Sequence, residues 1–276
     1  MSEQSAKIKS LIQQADSLII TAGAGMGVDS GLPDFRGNEG MWRHYPALGK
    51  LKMAFSDIAN PDAFKQNPQL AWGFYGHRLV LYRQTEPHLG FSLLKKLAEK
   101  FKQGYFVITS NVDGQFQKAG FDNEKIYECH GSIHALQCME ADDCSPSVWP
   151  NVMQPIIDNH ACELMSSLPK CKHCGGLVRP NIVMFDDWQW QEWPYMQQRQ
   201  RLETWLKIIK SPLVIEIGAG VTIPTIRRIS EQLSSRGQHL IRINPTDATI
   251  ASQQGVSLKM GGLAGIESVF KEGLYL

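Results

Sequence analysis

Short apolar runs alternate with amphipathic segments along most of the chain. The runs have the length and composition of buried strands, and they lie at residues 18–21, 105–109, 126–128, 213–217 and 240–243. Apolar positions at helical spacing predict helices over 5–16, 89–101, 193–209 and 262–271. Strands that alternate with helices in this way are typical of an α/β fold with a parallel sheet covered on both faces.

Two stretches interrupt this alternation. Residues 38–86 are rich in Trp, Tyr, His and Pro, and residues 132–180 contain a cluster of cysteines and few regular signals. We expect the two stretches to form a second, smaller lobe, built from two excursions out of the main fold. The predicted boundaries are 1–38, 89–131 and 182–276 for the large domain, and 39–88 and 132–181 for the small domain.

The composition of the 276 residues is that of an ordinary globular protein, with 43% hydrophobic and 20% charged residues. A formal net charge of +1 argues against a dedicated nucleic-acid binder, because phosphate neutralisation needs clustered basic charge. No apolar run reaches the roughly 18 residues of a membrane span. Residues 1–21 lack the continuous apolar core of a signal peptide. We therefore expect a soluble, cytoplasmic protein without nucleic-acid or membrane partners.

A glycine-rich turn, TAGAGMG at residues 21–27, follows the first predicted strand. Such a position in a doubly wound sheet presents backbone N–H groups to a phosphate, and glycine lets the backbone approach the ligand. The spacing here is G-x-G-x-G, whereas the usual dinucleotide fingerprint is G-x-G-x-x-G. Taken alone, the turn is therefore equally compatible with a purely structural role.

The segment after this turn, VDSGLPDFRG at residues 28–37, makes the assignment more specific. Together the two segments resemble the NAD-binding loop of the sirtuin family, G-A-G-x-S followed by S-G-I-P-D-F-R. Gly27 departs from that pattern, since the family usually has Ser there. The resemblance implies a set of residues in contact with NAD: Ala22, Gly23, Ala24, Gly25, Asp34, Phe35 and Arg36.

A second motif, TSNVDG at residues 109–114, resembles the sirtuin segment T-Q-N-I-D. The resemblance implies that Asn111 positions a catalytic water and the nicotinamide ribose, and that Val112 and Asp113 line the nicotinamide pocket. Ser110, an expected cofactor contact, replaces the family Gln and is shorter, and Phe116 replaces a common His. The alternative is an Asn/Asp turn that caps the next helix.

A third motif, ECHGS at residues 128–132, contains an H-G pair that supplies the general base in sirtuins. An imidazole with an ordinary pKa near 6.5 can take a proton from a ribose hydroxyl at neutral pH. The resemblance thus makes His130 catalytic, together with Asn111 and Asp113, and also a cofactor contact. A structural histidine is the alternative. We do not favour Cys129 as a nucleophile, because adjacent side chains in a strand point to opposite faces.

The cysteines indicate a metal site, because a chain of this size without a secretory signal does not depend on disulfides. Cys171 and Cys174 form a C-x-x-C pair, a spacing that suits one tetrahedral zinc ion. Cys138 and Cys144, five residues apart, are the expected partner pair, although sirtuins normally have a second C-x-x-C. Substitution by Cys162 or His173, or a degenerate site without metal, is the alternative.

Substrate contacts are implied by two further segments. VRPNIVMFDD at residues 178–187 resembles the sirtuin segment L-R-P-x-V-V-W-F-G-E, which pairs with the substrate peptide by strand addition. The resemblance makes Val183, Met184 and Phe185 substrate-binding, and Asp186 stands where the family has Gly. Tyr75 and Arg78 match the Y-x-x-R pair of sirtuins that remove negatively charged acyl groups. The alternative for this pair is an amphipathic helix with a surface arginine.

Two strand ends near the C-terminus complete the resemblance. IGAGV at residues 217–221 and INP at residues 243–245 stand where the family has G-T-S and I-N, which contact the adenosine side of NAD. The implied cofactor contacts are Gly218, Ala219, Gly220 and Asn244. An ordinary strand-to-loop transition is the alternative at each place.

The resemblance extends from about Leu18 to Asn244 and identifies the chain as a sirtuin relative. It implies a Rossmann-like, doubly wound sheet and a smaller lobe with a helical module and a zinc module. It also implies an NAD-dependent protein-lysine deacylase that releases nicotinamide and O-acyl-ADP-ribose, with deacetylation and desuccinylation as candidate reactions. An ADP-ribosyltransferase or NAD hydrolase, or a weakly catalytic NAD-sensing module, stays open. Trp188, Trp190 and Trp193 receive no role.

Overall fold

The structure is a computed structural model, and it describes residues 2–33, 37–140, 144–145, 147–234, 239–250 and 255–274. Its largest feature is a six-stranded, all-parallel sheet with the strand order β11-β10-β9-β1-β2-β3. These strands are β1 (Ser17–Ala22), β2 (Tyr105–Thr109), β3 (Ile126–Glu128), β9 (Pro212–Ile217), β10 (His239–Ile243) and β11 (Val256–Leu258).

Helices cover both faces of this sheet, so its central strands are apolar on both sides. One face packs against α1 (Glu3–Gln14), α7 (Leu89–Ala98) and α11 (Gly262–Gly273), and the other against α9 (Trp193–Leu206) and α10 (Thr225–Ser234). The side chains of β1 alternate between the two cores: Ile20 belongs to the first and Ile19 to the second. The predicted doubly wound α/β architecture is therefore confirmed.

The five predicted strands and four predicted helices are all present, with boundaries shifted by a few residues at most. Two elements of the sheet region, α10 and β11, were not predicted. Helix α10 packs on the sheet through Ile226, Ile229 and Leu233, which follow a helical period, but these three apolar residues stand in a mostly polar segment. Strand β11 has three residues, too few for a pattern.

Most of the other described residues form a smaller lobe with its own hydrophobic cluster. Its helices are α2 (Gly37–His44), α3 (Pro46–Lys50), α4 (Phe55–Ile58), α5 (Pro61–Gln66) and α6 (Pro68–Gln84). An antiparallel sheet joins β5 (Val148–Pro150), β4 (Gly131–Cys138) and β8 (Val178–Ile182), and a small hairpin joins β6 (Ile157–Asp158) to β7 (Glu163–Leu164). A helix of one turn, α8 (Gln115–Lys118), lies between β2 and β3.

One hydrophobic cluster holds this lobe together, and α6 is at its centre. Trp72, Phe74 and Leu79 of α6 are fully buried in it. A Cβ atom at Gly73 would overlap the carbonyl group of Cys162, so the β6–β7 turn lies directly on the helix backbone. No helix in the described part of the chain is both long and apolar enough to cross a membrane.

Candidate active site

The loops that follow β1 and β9 touch each other backbone to backbone. The N–H of Gly23 donates to the carbonyl of Ile217 at 3.0 Å, and the N–H of Gly25 donates to the carbonyl of Gly218 at 3.1 Å. Gly218 has a φ of +62°, and a Cβ atom there would overlap the backbone of Gly25. Glycine is therefore required for the packing of these two loops, whether or not a ligand binds. Beside Gly220, in contrast, the space is open.

Asn111 connects the end of β2 to the first of these loops. Its side-chain Nδ2 donates to the carbonyl of Gly23 at 3.0 Å, and its backbone N–H donates to Thr109 Oγ1 at 3.0 Å. The N–H of the neighbouring Ser110 donates to the carbonyl of Ala22 at 3.2 Å. The structure therefore brings Ser110 and Asn111 against the glycine-rich turn, at the carboxyl ends of adjacent strands.

Asp113 is a buried carboxylate at the start of α8. Its Oδ1 accepts the backbone N–H of Gln115 at 2.9 Å, so the side chain does cap the short helix. Its backbone carbonyl accepts a hydrogen bond from His134 Nε2 at 2.9 Å. Burial raises the pKa of Asp113 to about 6, an effect that its hydrogen bond and the charge of Arg78 partly oppose. Val112, next to it, is also buried.

His130 lies at the junction of β3 and β4. Its carbonyl accepts the N–H of Val183 at 3.1 Å, and its ring Nε2 is 3.1 Å from the hydroxyl oxygen of Thr225. Burial lowers the pKa of His130, which keeps the imidazole neutral near pH 7. The neighbouring Cys129 packs on the sheet, its thiol directed to the carbonyl of Thr109, and burial raises its pKa to about 12. A thiol with such a pKa is not a nucleophile at neutral pH.

Asn244 is buried next to the end of β10, and both polar atoms of its side-chain amide form hydrogen bonds within the chain. Nδ2 donates to the carbonyl of Ala219 at 2.9 Å, and Oδ1 accepts the N–H groups of Thr246 and Asp247 at 3.0 and 2.9 Å. The carbonyl of Ala219 also accepts a hydrogen bond from Arg227 at 3.0 Å. These bonds fix the loop after β9, and the ligand contacts expected of Ala219 and Asn244 stay predictions.

Tyr75 and Arg78 lie inside the smaller lobe on α6. Tyr75 is 1% exposed and stacks on Phe64, and Arg78 is 8% exposed. The Nε of Arg78 donates to the hydroxyl of Tyr82 at 2.9 Å, and its guanidinium lies 5.3 to 5.6 Å from the ring centroids of Phe74, Tyr75 and Tyr82. Arg78 is thus a buried cation among aromatic rings, and the alternative of a surface arginine is wrong.

The segment 183–187 bridges the two lobes. The N–H of Phe185 donates to the carbonyl of Ala59 at 2.9 Å, while Val183 bonds to His130 on the other side. Met184 is buried, and the half-exposed ring of Phe185 packs edge-on against Phe55. The backbone N–H groups of Val183 and Phe185 are thus already donated within the chain. Strand addition by a peptide would have to use the other backbone groups of this segment.

The turn that ends this segment is held by a buried ion pair. Arg179 and Asp187 approach to 2.7 Å, and Asp187 also accepts the N–H of Met184 at 3.2 Å. Asp186, which stands where sirtuins have Gly, has a φ of +53°. This left-handed conformation is the one in which glycine carries no steric cost, so the local backbone is the one that the family's glycine favours.

The four predicted metal ligands lie together. The Sγ atoms of Cys138, Cys144, Cys171 and Cys174 are within 4.8 Å of one another, with separations of 3.5 Å for Cys138–Cys174 and 3.4 Å for Cys144–Cys171. Four thiolates on a tetrahedral zinc ion with bonds of about 2.3 Å would be roughly 3.8 Å apart. The donor set and its spacing therefore fit one zinc ion.

Several residues fall outside this arrangement. Cys162, considered as a substitute ligand, lies in the β6–β7 turn, away from the four-cysteine cluster. Asp34, Phe35 and Arg36, expected to contact NAD, lie outside the described residues.

A cavity of about 600 Å³ beside Asp113 is lined by several side chains for which the sequence analysis predicts no role. Glu128, Ser132, His134 and Gln198 are among its lining residues. Burial raises the pKa of Glu128 to about 7, against the lowering effect of hydrogen bonds from neighbouring side chains. The sequence does not indicate that Glu128 is buried, because an acidic residue after an apolar run can be buried or exposed. Thr225 was missed as well, since its helix was not predicted.

The comparisons with known proteins agree with this geometry. The profile of the Sir2 family matches residues 23–215. The "NAD-dependent protein deacylase" of Aquifex aeolicus is 27% identical over 92% of this chain and 94% of its own length. That of Thermococcus kodakarensis is 30% identical over 85% of this chain and 82% of its own.

Among solved structures, a "Sir2 homolog-NAD complex" superposes with a TM-score of 0.73 at 25% identity, over 97% of this chain and 93% of that one. The family match spans more than half of the chain, and the relatives and the solved structure cover 85% or more of it. The expected sirtuin relationship is confirmed: this chain belongs to the Sir2 family.

Proposed function

We propose that this protein is an NAD-dependent protein-lysine deacylase, which transfers the acyl group of a modified lysine to ADP-ribose and releases nicotinamide. One observation carries the proposal. Asn111 binds the glycine-rich turn after β1, and His130 binds the segment 183–185 through its backbone. The groove for the cofactor and the segment for the peptide would thus adjoin the polar side chains of Asn111 and His130. The relatives named as NAD-dependent protein deacylases support the same activity.

The strand-end loops would hold NAD. The turn at 22–25 and the loop at 218–220 contain only glycine and alanine, so no long side chain separates a ligand from the backbone. When bound, NAD supplies an electrophilic ribose carbon with nicotinamide as the leaving group. Asp34, Phe35 and Arg36 would complete the nicotinamide side, as the resemblance implies. The solved Sir2 homologue in complex with NAD supports this cofactor.

Three polar side chains would do the chemical work. Asn111 donates through Nδ2 to Gly23, which leaves Oδ1 to orient a water or a ribose hydroxyl. Asp113 uses Oδ1 for the cap of α8 and would bond the nicotinamide carboxamide with its other oxygen. His130, kept neutral by burial, would take a proton from a ribose hydroxyl as the acyl group is transferred.

The acyl-lysine would approach along the segment 183–185, with Val183 and Phe185 beside the lysine side chain. Tyr75 and Arg78 favour a negatively charged acyl group, because Arg78 is a cation buried among rings that would strengthen a bond to a carboxylate. We therefore include desuccinylation beside deacetylation. The four-cysteine cluster would hold a structural zinc ion. Cysteines that bind metal instead of forming disulfides fit a reducing, cytoplasmic environment.

The decisive test is a comparison of matched peptides that carry unmodified, acetylated or succinylated lysine. Each is incubated with NAD and the purified protein, and mass spectrometry follows peptide, nicotinamide and acyl-ADP-ribose. We expect deacylation with an equal amount of nicotinamide, and a loss of at least a hundredfold in His130→Ala, the usual contribution of a general base. If nicotinamide is released at the same rate with acylated and unmodified peptides, the protein is an NAD hydrolase. If the peptide gains ADP-ribose, the protein is an ADP-ribosyltransferase.

A further inference from the structure

The ring of His130 contacts one side chain that the sequence did not predict. Thr225 is the first residue of α10, and its Oγ1 lies 3.1 Å from His130 Nε2. Both residues are partly buried, so water competes only weakly for this hydrogen bond. The contact joins the β3–β4 junction to the loop that leads from β9 into α10, across the carboxyl edge of the sheet.

The backbone of His130 is fixed without the help of Thr225. Its carbonyl accepts from Val183, and the N–H of Cys129 donates to Thr109 at 2.9 Å. Gly131, with a φ of +80°, packs against the carbonyl of Asn181 where a Cβ atom would overlap it. These contacts set the position of the Cα atom, but they leave the orientation of the imidazole about its side-chain torsions to a side-chain partner.

Thr225 is itself held firmly, because α10 is bound to the sheet by buried polar groups. Glu216 of β9 lies 2.7 Å from Arg242 of β10 and 3.5 Å from Arg227 of α10. On the next turn of the helix, Ser230 Oγ lies 2.8 Å from Thr21 Oγ1. These contacts are fully or nearly buried, so the start of α10 has little freedom to move relative to the strand ends.

We propose that Thr225 is a positioning residue that orients the imidazole of His130 through a hydrogen bond at Nε2. A threonine hydroxyl can donate to an unprotonated Nε2 or accept from an Nε2–H, so the bond sets the direction of the ring in either neutral tautomer. The N-terminal end of a helix also disfavours a positive charge beside it. The catalytic consequence rests on the proposed function, in which His130 is the base, whereas the hydrogen bond does not.

Nuclear magnetic resonance of protein labelled with ¹⁵N-histidine tests this hydrogen bond directly, because the chemical shift of Nε2 depends on its bonding partner. His130→Ala assigns the resonances, and Thr225→Val removes the hydroxyl while it keeps the shape of the side chain. We expect the ring ¹⁵N resonances and the pKa of His130 in Thr225→Ser to match those of the wild type, and both to be shifted in Thr225→Val. Thr204→Val, the same change on the exposed face of α9, should leave the His130 resonances unchanged. Unaltered ring resonances and an unaltered pKa in Thr225→Val would overturn the proposal.

Steady-state kinetics test the consequence for catalysis. Thr225→Val should lower kcat about tenfold, the effect of one lost hydrogen bond, with KM for NAD within about twofold and an altered pH profile. Thr225→Ser should keep most of the activity. A wild-type protein without deacylation would refute the proposed function and leave the resonance result valid. Normal kcat in Thr225→Val, with an active wild type, would refute only the positioning role.

Discussion

The two lobes of the molecule are stabilised in different ways. Strands β1 and β9 of the large sheet are six residues long and fully buried, between layers of helices. In the cysteine-containing part of the small lobe, β5 has three residues and β6 and β7 have two each. Strands this short bury little apolar surface, so their arrangement depends on cross-links. Both lobes have a hydrophobic core, but we expect the cysteine-containing part of the small lobe to depend in addition on a metal ion held by its four cysteines.

The large sheet nevertheless has one polar row inside it. Thr21, Glu216 and Arg242 are neighbours in register on β1, β9 and β10, and all three are fully or nearly buried under α10. In the adjacent row, Ile20 pairs with Ile215. The burial of charge costs free energy that ion pairing only partly returns, so this row is the weak point of an otherwise apolar core.

The largest effect should come from removal of zinc. Cys171→Ser with Cys174→Ser, or a strong chelator, should withdraw a binding free energy on the order of 10 kcal/mol from the cysteine-containing region. Hydrogen exchange followed by mass spectrometry should show lost protection across residues 138–178 and retained protection in β1 and β9. Cys162→Ser, outside the cluster, should keep one zinc per chain. Full protection in a zinc-free variant would contradict the comparison of the two lobes.

A smaller effect is expected from a break in the polar row of the sheet. Arg242→Met leaves Glu216 as a buried charge with a weaker partner, and should lower the free energy of unfolding by about 3–5 kcal/mol. The double variant Glu216→Leu with Arg242→Met removes both charges and should recover most of that loss. Urea unfolding measures both.

Arg199→Met is the matched control for this measurement. Arg199 forms an exposed pair with Glu203 on α9, so its replacement should change stability little. If the double variant is as unstable as Arg242→Met, the cost lies in packing rather than in the unpaired charge.

The smallest effect concerns Glu128, at the cavity between the lobes. Its pKa is about 7 in the folded protein and near 4.5 when exposed, so the folded state binds more protons between these values. Stability therefore falls as pH rises through this window, by about 3 kcal/mol in total. Glu128→Gln should flatten this slope in urea unfolding from pH 5 to 8, and should exceed the wild type in stability at pH 8.

Glu163→Gln provides the control for the pH experiment, because Glu163 is exposed on β7. The free energy of unfolding of Glu163→Gln should vary with pH as it does in the wild type. Asp113, with a pKa of about 6, titrates in the same window, and its charge interacts with that of Glu128, so the difference between Glu128→Gln and the wild type measures Glu128 together with this interaction. An unchanged slope in Glu128→Gln would mean that the cavity hydrates this carboxylate enough to keep it ionised.

Most elements with a clear apolar period were predictable. The strand runs and the helices α1, α7, α9 and α11 follow from apolar spacing alone. Helix α10 was overlooked although Ile226, Ile229 and Leu233 are also spaced helically, because the segment is polar on average and its Arg227 and Ser230 contact other buried polar groups. Burial of Arg78 was likewise not predictable, because a helix pattern around an arginine is the same for a surface and for a core position.

Local spacing along the chain is enough to predict the alternation of strands and helices, the glycine-rich turn, the cysteine ligands and the sirtuin resemblance. Which side chains contact one another depends on the three-dimensional packing of distant segments. The contact of His130 with Thr225, 95 residues apart, arises where two strand ends share one edge of the sheet. The pKa values of Asp113 and Glu128 depend on burial by distant elements. Such contacts and pKa values depend on residues that are far apart in the sequence, so a local sequence pattern cannot predict them.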